Sequence, residues 1–131
     1  MLHDTIAAVS TPYGKGGIAV IRISGDETPA VLRSCFHTAG PDPVENPRRA
    51  CFGTVIQNGE TVDSCLVTFF ANGASFTGEA SAEISCHGGT AVTAAVLEAV
   101  FRAGARPAQA GEFTRRAFLC GKLSLDQAQA V

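Results

Sequence analysis

Ser75-Phe76-Thr77-Gly78-Glu79-Ala80-Ser81-Ala82-Glu83-Ile84-Ser85-Cys86-His87-Gly88-Gly89 sets a turn, a strand and the start of a helix in succession. Phe76-Thr77-Gly78 is the turn, and Glu79 leaves it. Ala80, Ala82, Ile84 and Cys86 then alternate with Ser81, Glu83 and Ser85, the period of two of a half-buried strand. His87-Gly88-Gly89 ends the strand, and glycine lets a backbone turn sharply or approach a ligand closely. A helical pattern follows at once, so free amides at its start are placed to meet an anion. Two readings stay open at this point: a hairpin exit followed by a loop, or a ligand-binding turn.

Upstream, Asn58-Gly59 joins two strand-like runs, 50–57 and 61–70, by a dipeptide suited to a type I′ hairpin. Residues 5–10 form a first short strand. The Pro- and Gly-rich segment 11–17 is a loop, and Ile18-Ala19-Val20-Ile21-Arg22-Ile23-Ser24 is a β-branched strand whose apolar run implies burial on both faces. Arg22 interrupts that run. A charge there must be paired or face a cleft, and a stem lying on the sheet with its head in water is an equal alternative to a ligand contact. Thr28 suits the N-cap, and Pro29 the first position, of a helix over 28–36. Downstream, Val92, Ala95, Val96, Ala99 and Val100 mark a helix over 90–103, with Gly104 at its end. Residues 105–108 read as a short edge segment. A third helix spans 111–119, with Phe113, Ala117 and Phe118 on one face, and Cys120-Gly121-Lys122 breaks it. Ser124 opens a fourth helix with Gln127 at a capping-box position, and no stop signal follows.

These elements predict an α+β fold: a mixed or antiparallel sheet from the segments near 5–10, 18–24, 50–57, 61–70 and 79–86, with the helices near 28–36 and 90–103 on one face. The chain has 131 residues, 46% of them hydrophobic and 17% charged, which suits one globular domain with a real core. The formal charge of −2 does not by itself predict a broad nucleic-acid surface, and leaves open one supplied by another domain. The cysteines at 35, 51, 65, 86 and 120 are odd in number and contain no CxxC pair, which points to reduced, mostly buried thiols and a cytoplasmic setting. Adjacent Cys86-His87 is a poor basis for a zinc site. No apolar segment has the length of a membrane-spanning helix. Gly14-Lys15-Gly16-Gly17 is not a phosphate loop, because it lacks the GxxxxGK[ST] pattern and precedes a strand. One tyrosine and no tryptophan argue against a base-stacking platform.

Three blocks resemble a known family. Asp4-Thr5-Ile6-Ala7-Ala8 with Thr11 to Gly25 is similar to the opening of the tRNA-modification GTPases MnmE (TrmE). Ser75 to Glu79 followed by Cys86 to Gly89 is similar to their second block, and Gly104-Ala105-Arg106 with Gly111 to Val131 to their third. The resemblance implies that 1–119 is an N-terminal folate-binding and dimerisation domain. It implies that 120–131 begins a helical domain, and that the G domain, with its GTP, Mg and K, lies outside this chain. The fold is then expected to resemble the folate-binding domain of aminomethyltransferases. The implied cofactor is 5-formyltetrahydrofolate, and the implied contacts are Arg22, Glu79 and Lys122. The implied partners are a second copy, forming a homodimer, the flavoprotein GidA (MnmG) and tRNA, whose wobble uridine the parent modifies; no membrane is implied. The chain itself shows no catalytic site.

Within that expectation Glu79 takes two parallel N–H bonds from a pterin edge, with His87 and the Gly88-Gly89 amides close by; a structural Arg22–Glu79 ion pair with a solvated Lys122 is the competing arrangement. Phe76 stands where a tyrosine is usual, Ala80-Ser81-Ala82 replaces a more acidic, apolar pattern, and Cys120 replaces an asparagine. Two other functions compete: a folate-dependent aminomethyltransferase, which needs a longer chain and a catalytic acid, and a plain interaction domain without ligand.

Overall fold

The computed structural model describes residues 4–11, 17–122 and 127. The loop at 12–16 and, Gln127 apart, the helix expected from Ser124 lie outside the described residues. The elements run β1 (Ile6–Val9), β2 (Ile18–Ser24), α1 (Thr28–Cys35), β3 (Phe36–His37), β4 (Cys51–Gln57), β5 (Glu60–Phe70), β6 (Ser81–His87), α2 (Thr90–Arg102), β7 (Arg106–Pro107) and α3 (Glu112–Leu119). They form a seven-stranded sheet in the order β3-β4-β5-β6-β2-β1-β7. All pairs are antiparallel except β1 with β7, so the fold is α+β with a mixed sheet.

The hairpin between β4 and β5 forms where the sequence places it. Gln57 pairs with Glu60, and Asn58 and Gly59 take φ of 54° and 78°, the positive values that a type I′ turn demands. On one face, the alternating residues Ile21 and Ile23 of β2, Val67 of β5 and Ile84 of β6 are fully buried. They share a core with Val31 and Leu32 of α1 and Val96 and Val100 of α2. Each such side chain contributes about 1.5–3 kcal/mol through burial.

Three expectations change. First, β2 is not buried on both faces: Ile18 is 65% exposed, and only alternate residues of the strand reach the core until Ser24. The described helices α1 and α2 cover one side of the sheet, so the face carrying Ile18, Phe52 and Leu66 stays open. Second, the first helix stops at Cys35, and Phe36 enters β3 opposite Val55; edge-strand pairing outweighs one more helical residue there. Third, Thr28 is not the cap. Its hydroxyl donates to the carbonyls of Gly25 and Ala80, tying α1 to the start of β6.

Candidate functional site

The turn before β6 is held by its own hydroxyls. The Ser75 hydroxyl donates to the Glu79 carbonyl at 2.5 Å and accepts from the Gly78 amide at 3.0 Å. Gly78 has φ 87°, and a Cβ built there would meet the Cys120 Cβ at 2.8 Å and the Lys122 Cγ at 3.0 Å. Glycine is required both by the backbone conformation and by this close approach. The end of α3 supplies the other side. The amides of Gly121 and Lys122 donate back to the carbonyls of Phe118 and Ala117, a Schellman-type ending that turns the chain over Gly78. Lys122 Nζ then donates to the Gly73 carbonyl at 2.9 Å.

Arg22 lies at the middle of β2 on the open face. It faces Glu83 across the β2–β6 pair and bonds it at 3.1 Å. Its guanidinium lies 5.2 Å from the centre of the Phe76 ring and 5.8 Å from that of Phe113. Phe76 belongs to the turn and Phe113 to α3, so α3 crosses the end of the face that α1 and α2 leave open. Cation–ring contacts of this kind are worth about 0.5–2 kcal/mol.

Arg22, Glu79 and Lys122 are thus gathered around one turn, Arg22 through Phe76 and Lys122 through Gly73 and Gly78. Arg22 and Glu79 do not pair with one another: Arg22 takes Glu83, and Glu79 takes Arg116. His87 is not near this group. It sits at the far end of β6, about 20 Å from Ser81 at the rise of an extended strand, with its Nδ1 2.7 Å from Asp63. The amides that follow it share that distant end.

Behind Glu79 lies an ionic network that no motif in the sequence announces. Glu79 Oε1 accepts from the Ser24 hydroxyl at 2.8 Å and from Arg116 Nη1 at 3.1 Å, and Oε2 accepts from the same nitrogen at 3.2 Å. Two parallel N–H bonds from a ligand would therefore compete with partners already in place. Arg116 is fully buried and also donates to the Asp4 carbonyl and to Asp4 Oδ1 at 2.8 and 2.7 Å. It also bonds Glu112 at 3.3 Å, one turn earlier in α3. Arg106 bridges Glu112 at 2.5 Å and Asp4, closing the network over β7. The hydrogen bond from Arg106 is the chief cause that holds Glu112 down at about 2, against the opposing effect of burial. Asp4 is likewise lowered to about 2, first by Arg106. Burial opposes the charge on Arg116, but bonds to Glu79 and Asp4 outweigh it and raise its pKa.

The buried side of α3 is therefore charged, with Glu112 and Arg116 beside Ala117, and Phe118 is partly exposed. The i,i+4 spacing of Glu112 and Arg116 was the one local signal for this network; Asp4 and Glu79 are too distant in sequence to betray it. Four cysteines are buried and Cys120 is exposed, all of them free. Burial pushes Cys35 up to about 11 and Cys65 up to about 12, which suits inert core thiols. Among the described residues no helix is long and apolar enough to cross a membrane, and no group of His, Cys, Asp and Glu is arranged to hold a metal.

The arrangement presents a half-exposed cation and a ring face beside a buried, oriented carboxylate, with a second cation across the turn. Comparison with known proteins matches residues 5–122 to the family model of the GTP-binding protein TrmE N-terminus. The chain is similar to tRNA modification GTPase MnmE of Geobacter metallireducens, 47% identical over 132 residues, covering 99% of this chain and 29% of that protein. It is 47% identical over 133 residues to the protein of that name from Syntrophus aciditrophicus, covering 100% of this chain and 29% of the relative. The corresponding figures for Nitratidesulfovibrio vulgaris are 48% over 133 residues, 100% and 29%. The chain thus spans about 29% of the length of these curated relatives. Matched over nearly all of its sequence, it belongs to the TrmE N-terminal family, the N-terminal region of the tRNA modification GTPases MnmE.

Proposed function

We propose that this domain binds a one-carbon tetrahydrofolate, 5-formyltetrahydrofolate, and forms a homodimer. We propose further that it serves a GTPase that, with the flavoprotein GidA (MnmG), modifies the wobble uridine of tRNA in the cytoplasm. GTP, Mg and K are then handled by a G domain elsewhere in the parent. The observation that carries the reading is the convergence of Arg22, Glu79 and Lys122 on the 73–79 turn. Tetrahydrofolate has a pterin edge rich in N–H donors and a glutamyl tail with two carboxylates. Glu79 suits the donor edge, and Arg22 and Lys122 suit carboxylates or a carbonyl, Arg22 as a planar fork and Lys122 as a mobile charge. The Phe76 ring beside Arg22 offers a flat wall to the pterin or the benzoyl ring. The dimer reading is supported by the open sheet face, where Phe52 and Ile18 are both about two-thirds exposed.

Calorimetric titration of the chain with 5-formyltetrahydrofolate tests the ligand. Arg22→Ala and Glu79→Ala should each weaken binding by about 1–3 kcal/mol, because each leaves a polar ligand group without its partner. No heat with the intact chain would leave the interaction-domain reading in its place.

A further inference from the structure

We infer that Arg116 and Ser24 are positioning residues that orient the Glu79 carboxylate toward its ligand and leave Oε2 as the oxygen that receives it; the inference rests on the folate-binding reading above. A carboxylate oxygen accepts along two lone-pair directions. One N–H of Arg116 Nη1 goes to the Asp4 carbonyl and the other is shared between Oε1 and Oε2, while Oε1 alone also accepts from the Ser24 hydroxyl; among the described residues Oε2 has no other donor. Oε2 is therefore the oxygen with acceptor capacity to spare.

The hydroxyl protons around Glu79 are assigned by the same accounting. Ser24 has one proton, and it goes to Glu79, so the Thr77 hydroxyl at 2.7 Å must donate to Ser24. Thr77 in turn accepts from the Glu79 amide at 3.3 Å, while the Ser75 proton goes to the Glu79 carbonyl. The chain Thr77 to Ser24 to Glu79 thus runs one way and presents the carboxylate as an acceptor. Arg116 cannot swing away, because it is fully buried and also held by Asp4 and Glu112. A pterin edge offers adjacent N–H groups, of which one meets Oε2 and the next must find another acceptor or water. Neither Arg116 nor Ser24 is exposed, so both act on the ligand through Glu79.

The test is discrimination between two ligands, which partial unfolding does not alter. The chain is titrated with 5-formyltetrahydrofolate and with the analogue in which a methyl replaces the pterin 2-amino group. The intact chain should prefer the parent compound by roughly tenfold or more, the range of a hydrogen bond to a charged group. Arg116→Lys keeps the charge and loses the planar fork, and should lower that ratio by about threefold or more. Ser24→Ala should lower it in the same direction, since the position it vacates is buried and out of a ligand's reach. If Arg116→Lys does not fold, Ser24→Ala, which leaves every Arg116 ion pair in place, decides. Ratios unchanged in a folded variant, with both affinities reduced alike or not at all, would overturn the positioning role. Binding of neither ligand by the intact chain would instead overturn the folate reading, so the two failures are distinct.

Discussion

Replacing Glu112 by Gln removes one charge from the network behind the site, and the cost should depend on pH. Glu112 is 3% exposed and accepts from Arg106 at 3.0 and 2.5 Å, from Arg116 at 3.3 Å and from the Gln109 amide at 2.9 Å. Its pKa is held at about 2 against an ordinary 4.5, chiefly by the Arg106 bonds. A carboxyl depressed in the folded state stabilises the fold fully above its unfolded pKa and loses that contribution as pH falls through the folded value. At pH 7 the shift corresponds to about 3 kcal/mol, and at pH 3 to roughly half of that. Glu112→Gln should therefore cost about 2–4 kcal/mol at pH 7, overlapping the range of about 3–5 kcal/mol for breaking one side of a buried ion pair. The gap between variant and parent should narrow by about 2 kcal/mol on going to pH 3. Urea unfolding followed by circular dichroism at both pH values measures it. A gap that is the same at both, or below about 0.5 kcal/mol at pH 7, would refute the assignment of Glu112 as a charged keystone of α3.

Gly78→Ala should destabilise the fold by about 1–3 kcal/mol, since φ 87° disfavours a side chain and the new Cβ meets Cys120 and Lys122; thermal unfolding checks it, and an unchanged midpoint would count against the close packing of the turn. Lys122→Ala should weaken 5-formyltetrahydrofolate binding more at low salt than at high salt, because its charge is exposed and screened; equal losses at 20 and 500 mM salt, roughly a fivefold change in screening length, would remove Lys122 from the ligand. Phe52→Glu on the open sheet face should shift the chain toward monomer in light scattering while leaving the unfolding midpoint within a few degrees, and a dimer unaffected by it would move the interface elsewhere.

What the sequence determined is mostly local. The Asn58-Gly59 hairpin follows from two positive-φ positions between strand-forming runs, and no tertiary contact is needed to read it. The alternation in β6 and the helical spacing in α2 are legible because a sheet and a helix each bury residues at a fixed period. Arg22 and Glu79 stood out as charges in awkward places, and Lys122 through the helix break before it and a family resemblance. The tertiary structure decided what those charges meet. Arg22 finds Glu83 by strand register and two rings supplied by a turn and a helix, and Glu79 finds Arg116, 37 residues away in sequence. Which face of β2 stays open depends on where α1 and α2 pack, and why α3 buries charge depends on where β7 delivers the chain back to Asp4 and Glu79. Periodicity reports that a residue is buried; only the folded chain, by bringing distant groups within hydrogen-bond reach, determines which partner makes that burial tolerable.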